Sequence, residues 1–130
     1  RWLDPSVDPN DRIPGTCYLG DPKVVNNGPV GLARFCTLRS WLSQWSFDDA
    51  NACGPTSLAS VSKPVLVVGN TADDACTPSH TDTLFDAVTH ERKAKIEIKG
   101  ANHYYMGQPE LAAQATGAVL DWLRDYDFPV

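Results

Sequence analysis

The sequence predicts an α/β fold, on three observations from its second half. An unbroken apolar run, "KPVLVVG" at residues 63–69, is one strand. An alternating run, "AKIEIKG" at 94–100, is a second, and a helical stripe follows each of them. The order strand, helix, strand, helix makes a right-handed βαβ unit with parallel strands and a closing helix.

Residues 1–61 differ in composition and read as a separate cap-like or lid-like segment of loop and helix. They carry Pro5, Pro9, Pro14, Pro22, Pro29 and Pro55, and the first thirty residues read as loop with turns at "PGT" and "NNGP". In "LARFCTLRSWLSQWSFDD" the positions Phe35, Leu38, Trp41, Leu42 and Trp45 recur at three and four, one face of an amphipathic helix. An aromatic stripe of this kind is expected to pack in a core. The serines of "GPTSLAS", residues 54–60, sit in a Gly-Pro loop on this reading.

From residue 62 onward the pattern is regular. The β-branched run ends at Gly69, and its unbroken apolar character suits a strand covered on both faces. Thr77 as N-cap and Pro78 at the first helical position open a helix whose stripe is Leu84, Phe85 and Val88. Ile96 and Ile98 alternate with charges, which marks a strand exposed on one face. The last helix begins near Gln108, has Pro109 in its first turn, and spaces Leu111, Ala115, Val119, Trp122 and Tyr126 helically. Two parallel strands leave an apolar edge open. The expectation is a homo-oligomer, or association with a missing N-terminal part.

The chain has 130 residues, 42% of them apolar, which suits one globular domain or a piece of one. It carries 11 Lys and Arg against 16 Asp and Glu, a net charge of −5, with no basic cluster, so no nucleic acid is expected as a partner. The longest apolar run, "VLVV", falls far short of the roughly 20 residues of a membrane span, so no membrane association is expected either. The opening "RWLDPSVDPN" lacks a Met and reads as the middle of a longer polypeptide. Cys17, Cys36, Cys53 and Cys76 form no C-x-x-C pair, which argues against zinc-ribbon and thioredoxin motifs. Buried reduced thiols are expected, or one disulfide among Cys17, Cys36 and Cys53. His80 lies one helical turn after Cys76, but no second pair of soft ligands accompanies them, and no metal site is expected. His80 and His90 are expected in solvent.

Ligands of open α/β sheets gather at the carboxyl ends of the strands. The first strand delivers Asp73 and Asp74 to that rim, and the second delivers Asn102 and His103 in "KGANHYYMG", with Tyr104 and Tyr105 beside them. A carboxylate bonded to one imidazole nitrogen fixes the tautomer and stabilises the imidazolium when the other nitrogen takes a proton. The order acid then histidine, each on the loop after a strand with one helix between, suits the orienter and base of a nucleophilic triad. Two adjacent acids also suit Mg²⁺ in a receiver-like site, which needs a third acid nearby. A non-catalytic interaction or dimerisation module using the open sheet edge is the other alternative.

Residues 62–125 resemble the C-terminal quarter of an α/β-hydrolase-fold enzyme. "KPVLVVGNTADDACTP" is similar to the family's penultimate strand and acid loop, "IEIKGANHYYMG" to its last strand and His loop, and "PELAAQATGAVLDWL" to its closing helix. The resemblance makes 62–130 the C-terminal βαβα part of a hydrolase domain and 1–61 the tail of a cap. It implies His103 as base, and as acid Asp73, with Asp74 the alternative selected by counting back four residues from Pro78. It also implies a small carboxylic ester or acyl substrate and no metal or organic cofactor. The family's nucleophile elbow, G-x-S-x-G, is absent from these 130 residues and by the family's order precedes residue 1, so the chain alone is expected to be inactive.

Overall fold

The computed structural model describes residues 20–28, 36–46, 48–50 and 52–126. Cys17, Phe35, the turn at 14–16 and the prolines Pro5, Pro9, Pro14 and Pro29 lie outside the described residues. The described elements run in the order α1 (Pro22–Asn27), α2 (Leu38–Trp45), α3 (Gly54–Leu58), β1 (Val65–Asn70), α4 (Pro78–Ala87), β2 (Lys93–Ile98) and α5 (Pro109–Asp125). Strands β1 and β2 pair in parallel, with Val65 opposite Lys93 and Asn70 opposite Ile98, so the architecture is α/β with a two-stranded sheet.

Side-chain alternation along the strands assigns one helix to each face. Val68, Ile96 and Ile98 point toward α5, where Ile98, Ala101 and Ala115 form the buried cluster and Leu111 and Tyr105 pack against it. Gly69 points the other way, toward α4, so closely that a Cβ there would lie 2.7 Å from Thr81 Cγ2. Glycine is what lets strand and helix approach at this position. On the charged face of β2, Lys95 and Glu97 are exposed, as the alternation predicts, while Lys93 is half-buried against the end of α4. Lys93 Nζ donates to the Phe85 and Val88 carbonyls at 3.0 and 2.8 Å and lies over the Phe85 ring. Both carbonyls sit at the negative end of α4, where a cation is favoured, and that of Phe85 also accepts the Val88 amide. Lys95 pairs with Asp82 of the same helix.

Thr77 holds the N-cap backbone geometry of α4, as its sequence position predicts, although its hydroxyl meets Ser79 rather than a backbone amide. Several expectations are corrected. Val65 to Val68 keep partial exposure, because among the described residues one helix covers each face of so narrow a sheet. The α2 stripe forms a helix but not a core: Leu38 is 73% and Trp45 51% exposed, with no element among the described residues facing them. Residues 22–27, expected as loop, form α1 because Asp21 caps the Lys23 amide and Pro22 sits at the first position. "GPTSLAS" contains α3, which packs on α4 where Gly54 meets Leu84. Cys36, Cys53 and Cys76 are reduced but exposed rather than buried. His90, expected in water, has both ring nitrogens shielded from solvent with no hydrogen-bond partner.

Candidate active site

Because Asn70 stands opposite Ile98, both strands end at one level and their loops leave side by side. Backbone bonds stitch the loops together: the Thr71 amide donates to the Ile98 carbonyl at 3.1 Å and the Ala72 amide to the Ala101 carbonyl at 3.0 Å. Gly100, at φ +76°, makes the turn that brings the second loop back, and its amide donates to Thr71 Oγ1 at 2.8 Å. Few L-residues enter that backbone region without strain.

The acid loop folds around one carboxylate. Asp73 Oδ1 accepts the amides of Ala75 and Cys76 at 2.7 and 2.9 Å, and Oδ2 meets His103 Nδ1 at 2.9 Å. Asp73 is 8% exposed, whereas Asp74 is exposed, and it is the Asp73 carboxylate that touches the imidazole. Burial pushes the Asp73 carboxyl upward, and the bonds from His103 and from the Cys76 and Ala75 amides outweigh it, leaving the carboxyl below its usual range. An ionised carboxylate only accepts, so Nδ1 donates and Nε2 becomes the basic nitrogen. His103 is half-buried, with the Tyr104 ring edge-on at 4.5 Å.

A second layer fixes the His loop. Asn70 Nδ2 donates to the Asn102 carbonyl at 3.0 Å, and Asn70 Oδ1 accepts the Tyr105 hydroxyl at 2.8 Å. Tyr105 sits at φ 53°, and its hydroxyl bond helps hold a conformation that costs a non-glycine residue about 1–3 kcal/mol. The Asn102 side chain spans the turn to the Met106 backbone from both ends of its amide. Gln108 accepts the Asn102 amide and donates to the Gly100 carbonyl. Sequence reasoning placed Asn102 and Tyr105 near the site but missed Asn70 and Gln108 as clamps. The available signal was position: each is a polar residue at the boundary of an element bordering the rim.

The serines of residues 54–60 lie at the other end of the sheet. The Ala59 and Ser62 carbonyls accept from Thr89 and Arg92, on the segment that enters β2, so they flank the strands' amino ends. A six-residue strand puts that end about 17 Å from the rim. Ser57 and Ser60 therefore do not reach His103. Among the described residues, Asp73, Cys76 and His103 form the one group of three side chains whose possible ligand atoms lie mutually within 4.8 Å. The Mg²⁺ alternative gains no third carboxylate there. No protein-family model matches the chain, and neither a search of curated proteins nor one of solved structures finds a match.

Proposed function

We propose that this chain carries the orienting acid and the general base of a serine-type α/β hydrolase, and that the nucleophile belongs to a segment preceding residue 1. Residues 62–130 are then the C-terminal βαβα part of that fold, and the substrate is a carboxylic ester or related acyl compound. Asp73 holds the Nδ1 proton of His103. Nε2 takes the serine hydroxyl proton as the oxygen attacks the acyl carbon, then returns it to the leaving group, and repeats the cycle with water. The observation that carries this reading is the 2.9 Å bond from His103 Nδ1 to a buried carboxylate at the carboxyl rim of two parallel strands.

The test extends the polypeptide upstream along its natural reading frame and assays a short-chain aryl ester. The 130-residue chain is expected to give background turnover only, and an extended chain containing a G-x-S-x-G elbow is expected to give turnover lost in His103→Ala. A reading frame without such an elbow overturns the proposal, as does strong activity of the 130-residue chain that survives His103→Ala. The two-stranded sheet favours a second reading, a dimerisation module pairing through its open edge. A monomer by light scattering at all concentrations counts against it.

A further inference from the structure

We propose that Asp73, Cys76 and His103 form a three-ligand site for a thiophilic divalent cation, Zn²⁺ above all. The site stands on the cluster itself and not on the hydrolytic reading. One carboxylate oxygen, one sulfur and one imidazole nitrogen lie within 4.8 Å of one another. Around a tetrahedral ion with bonds of about 2.0–2.3 Å the donors stand about 3.5 Å apart, so side-chain adjustments of at most about 1.3 Å complete the site. Cys76 and Asp73 share one turn, fixed by the Cys76 amide donating to Asp73 Oδ1, and Cys76 is exposed, open to an entering ion.

The same distances exclude Cys76 as the nucleophile of a linear relay. In such a relay the imidazole lies between acid and thiol. Two hydrogen bonds of about 2.9 Å plus the ring itself would hold sulfur and carboxylate more than about 6 Å apart. Here the three groups converge on one point, as ligands do. Thiolate and imidazole select Zn²⁺ over Mg²⁺ or Ca²⁺, and three protein ligands leave a fourth position for water. As the sulfur–zinc bond forms, the thiol proton passes to solvent. His103 gives one nitrogen lone pair to the ion and keeps its proton on the other nitrogen.

The experiment titrates the 130-residue chain with Zn²⁺ by calorimetry in a phosphine reductant, and with Co²⁺ by absorption. One ion per chain is expected, with a thiolate-to-cobalt charge-transfer band. Both persist when Cys17, Cys36 and Cys53 are all replaced by Ser. Cys76→Ser, at an exposed position that should not disturb folding, is expected to abolish the band and weaken Zn²⁺ binding by at least about 100-fold. That is the upper end of what loss of an outer hydrogen-bond partner costs. Absence of the band in the wild-type chain, or Zn²⁺ affinity unchanged in Cys76→Ser, overturns the site. Neither readout uses ester turnover, so failure here leaves the hydrolytic proposal standing, and the converse.

Discussion

Replacing Asp73 by Ala removes the acceptor of three hydrogen bonds, at 2.7, 2.9 and 2.9 Å. A bond to a charged group contributes about 1.5–3 kcal/mol, so three independent bonds would set a ceiling of several kcal/mol. The true loss is smaller, because Ala75 and His103 are half-buried and Cys76 is exposed, so water replaces part of what the carboxylate gave. We expect about 3 kcal/mol, read by urea denaturation followed by circular dichroism with an unchanged slope. Asp73→Asn keeps a carbonyl for the two amides and loses only the charge and the imidazole's acceptor, and is expected to cost about half as much. Asp74→Ala, at an exposed position, is expected to cost under about 1 kcal/mol. The pH dependence has a definite sign. A folded carboxyl below the unfolded value of about 3.9 contributes stability that is full above that value and fades as pH falls through the folded pKa. The gap between wild type and Asp73→Asn should therefore narrow below about pH 4. An Asp73→Ala variant within about 0.5 kcal/mol of wild type at neutral pH would refute this reasoning.

Two further outcomes follow from the packing. A methyl at Gly69 would lie 2.7 Å from Cγ2 and 2.9 Å from Oγ1 of the buried Thr81. Overpacking costs about 1–3 kcal/mol and exceeds the gain of up to about 1 kcal/mol from Ala stiffening the unfolded chain. Gly69→Ala is expected to lower the denaturation midpoint, and an unchanged or raised midpoint contradicts the close approach of β1 and α4. The unpartnered, shielded nitrogens of His90 predict the reverse. His90→Phe removes buried polar atoms and is expected to stabilise by about 1 kcal/mol in the same assay, with destabilisation counting against the burial.

The second half of the fold was legible because its signals are local and agree with one another. The Thr77-Pro78 start of α4 and the Gln108-Pro109 start of α5 stand where sequence places them, and the first strand does too, running one residue past Gly69 to Asn70. The pairing of Asp73 with His103 was legible as a juxtaposition of loops, with Asp73 preferred and Asp74 the alternative; the turn in which the Ala75 and Cys76 amides wrap the Asp73 carboxylate was not. Periodicity says that α2 has an apolar face and not what covers it, so the expected core at Leu38 and Trp45 did not follow. The charged side of β2 was legible as an exposed face, with Lys95 and Glu97 in solvent; what the alternation does not show is that Lys93 reaches the carbonyls at the end of α4. Asn70 and Gln108 bind backbone across 32 and 8 residues, a relation no local pattern encodes.

The most direct test reads the tautomer of His103 by ¹⁵N–¹H correlation on the 130-residue chain, stripped of metal, at about pH 8, where an ordinary histidine is neutral. The expected result is a proton on Nδ1, shifted downfield and slow to exchange, with Nε2 carrying the lone pair, and a drift toward the Nε2-protonated form in Asp73→Asn. A wild-type His103 protonated mainly at Nε2, or one indifferent to Asp73→Asn, would contradict the orienting bond on which the proposed function stands.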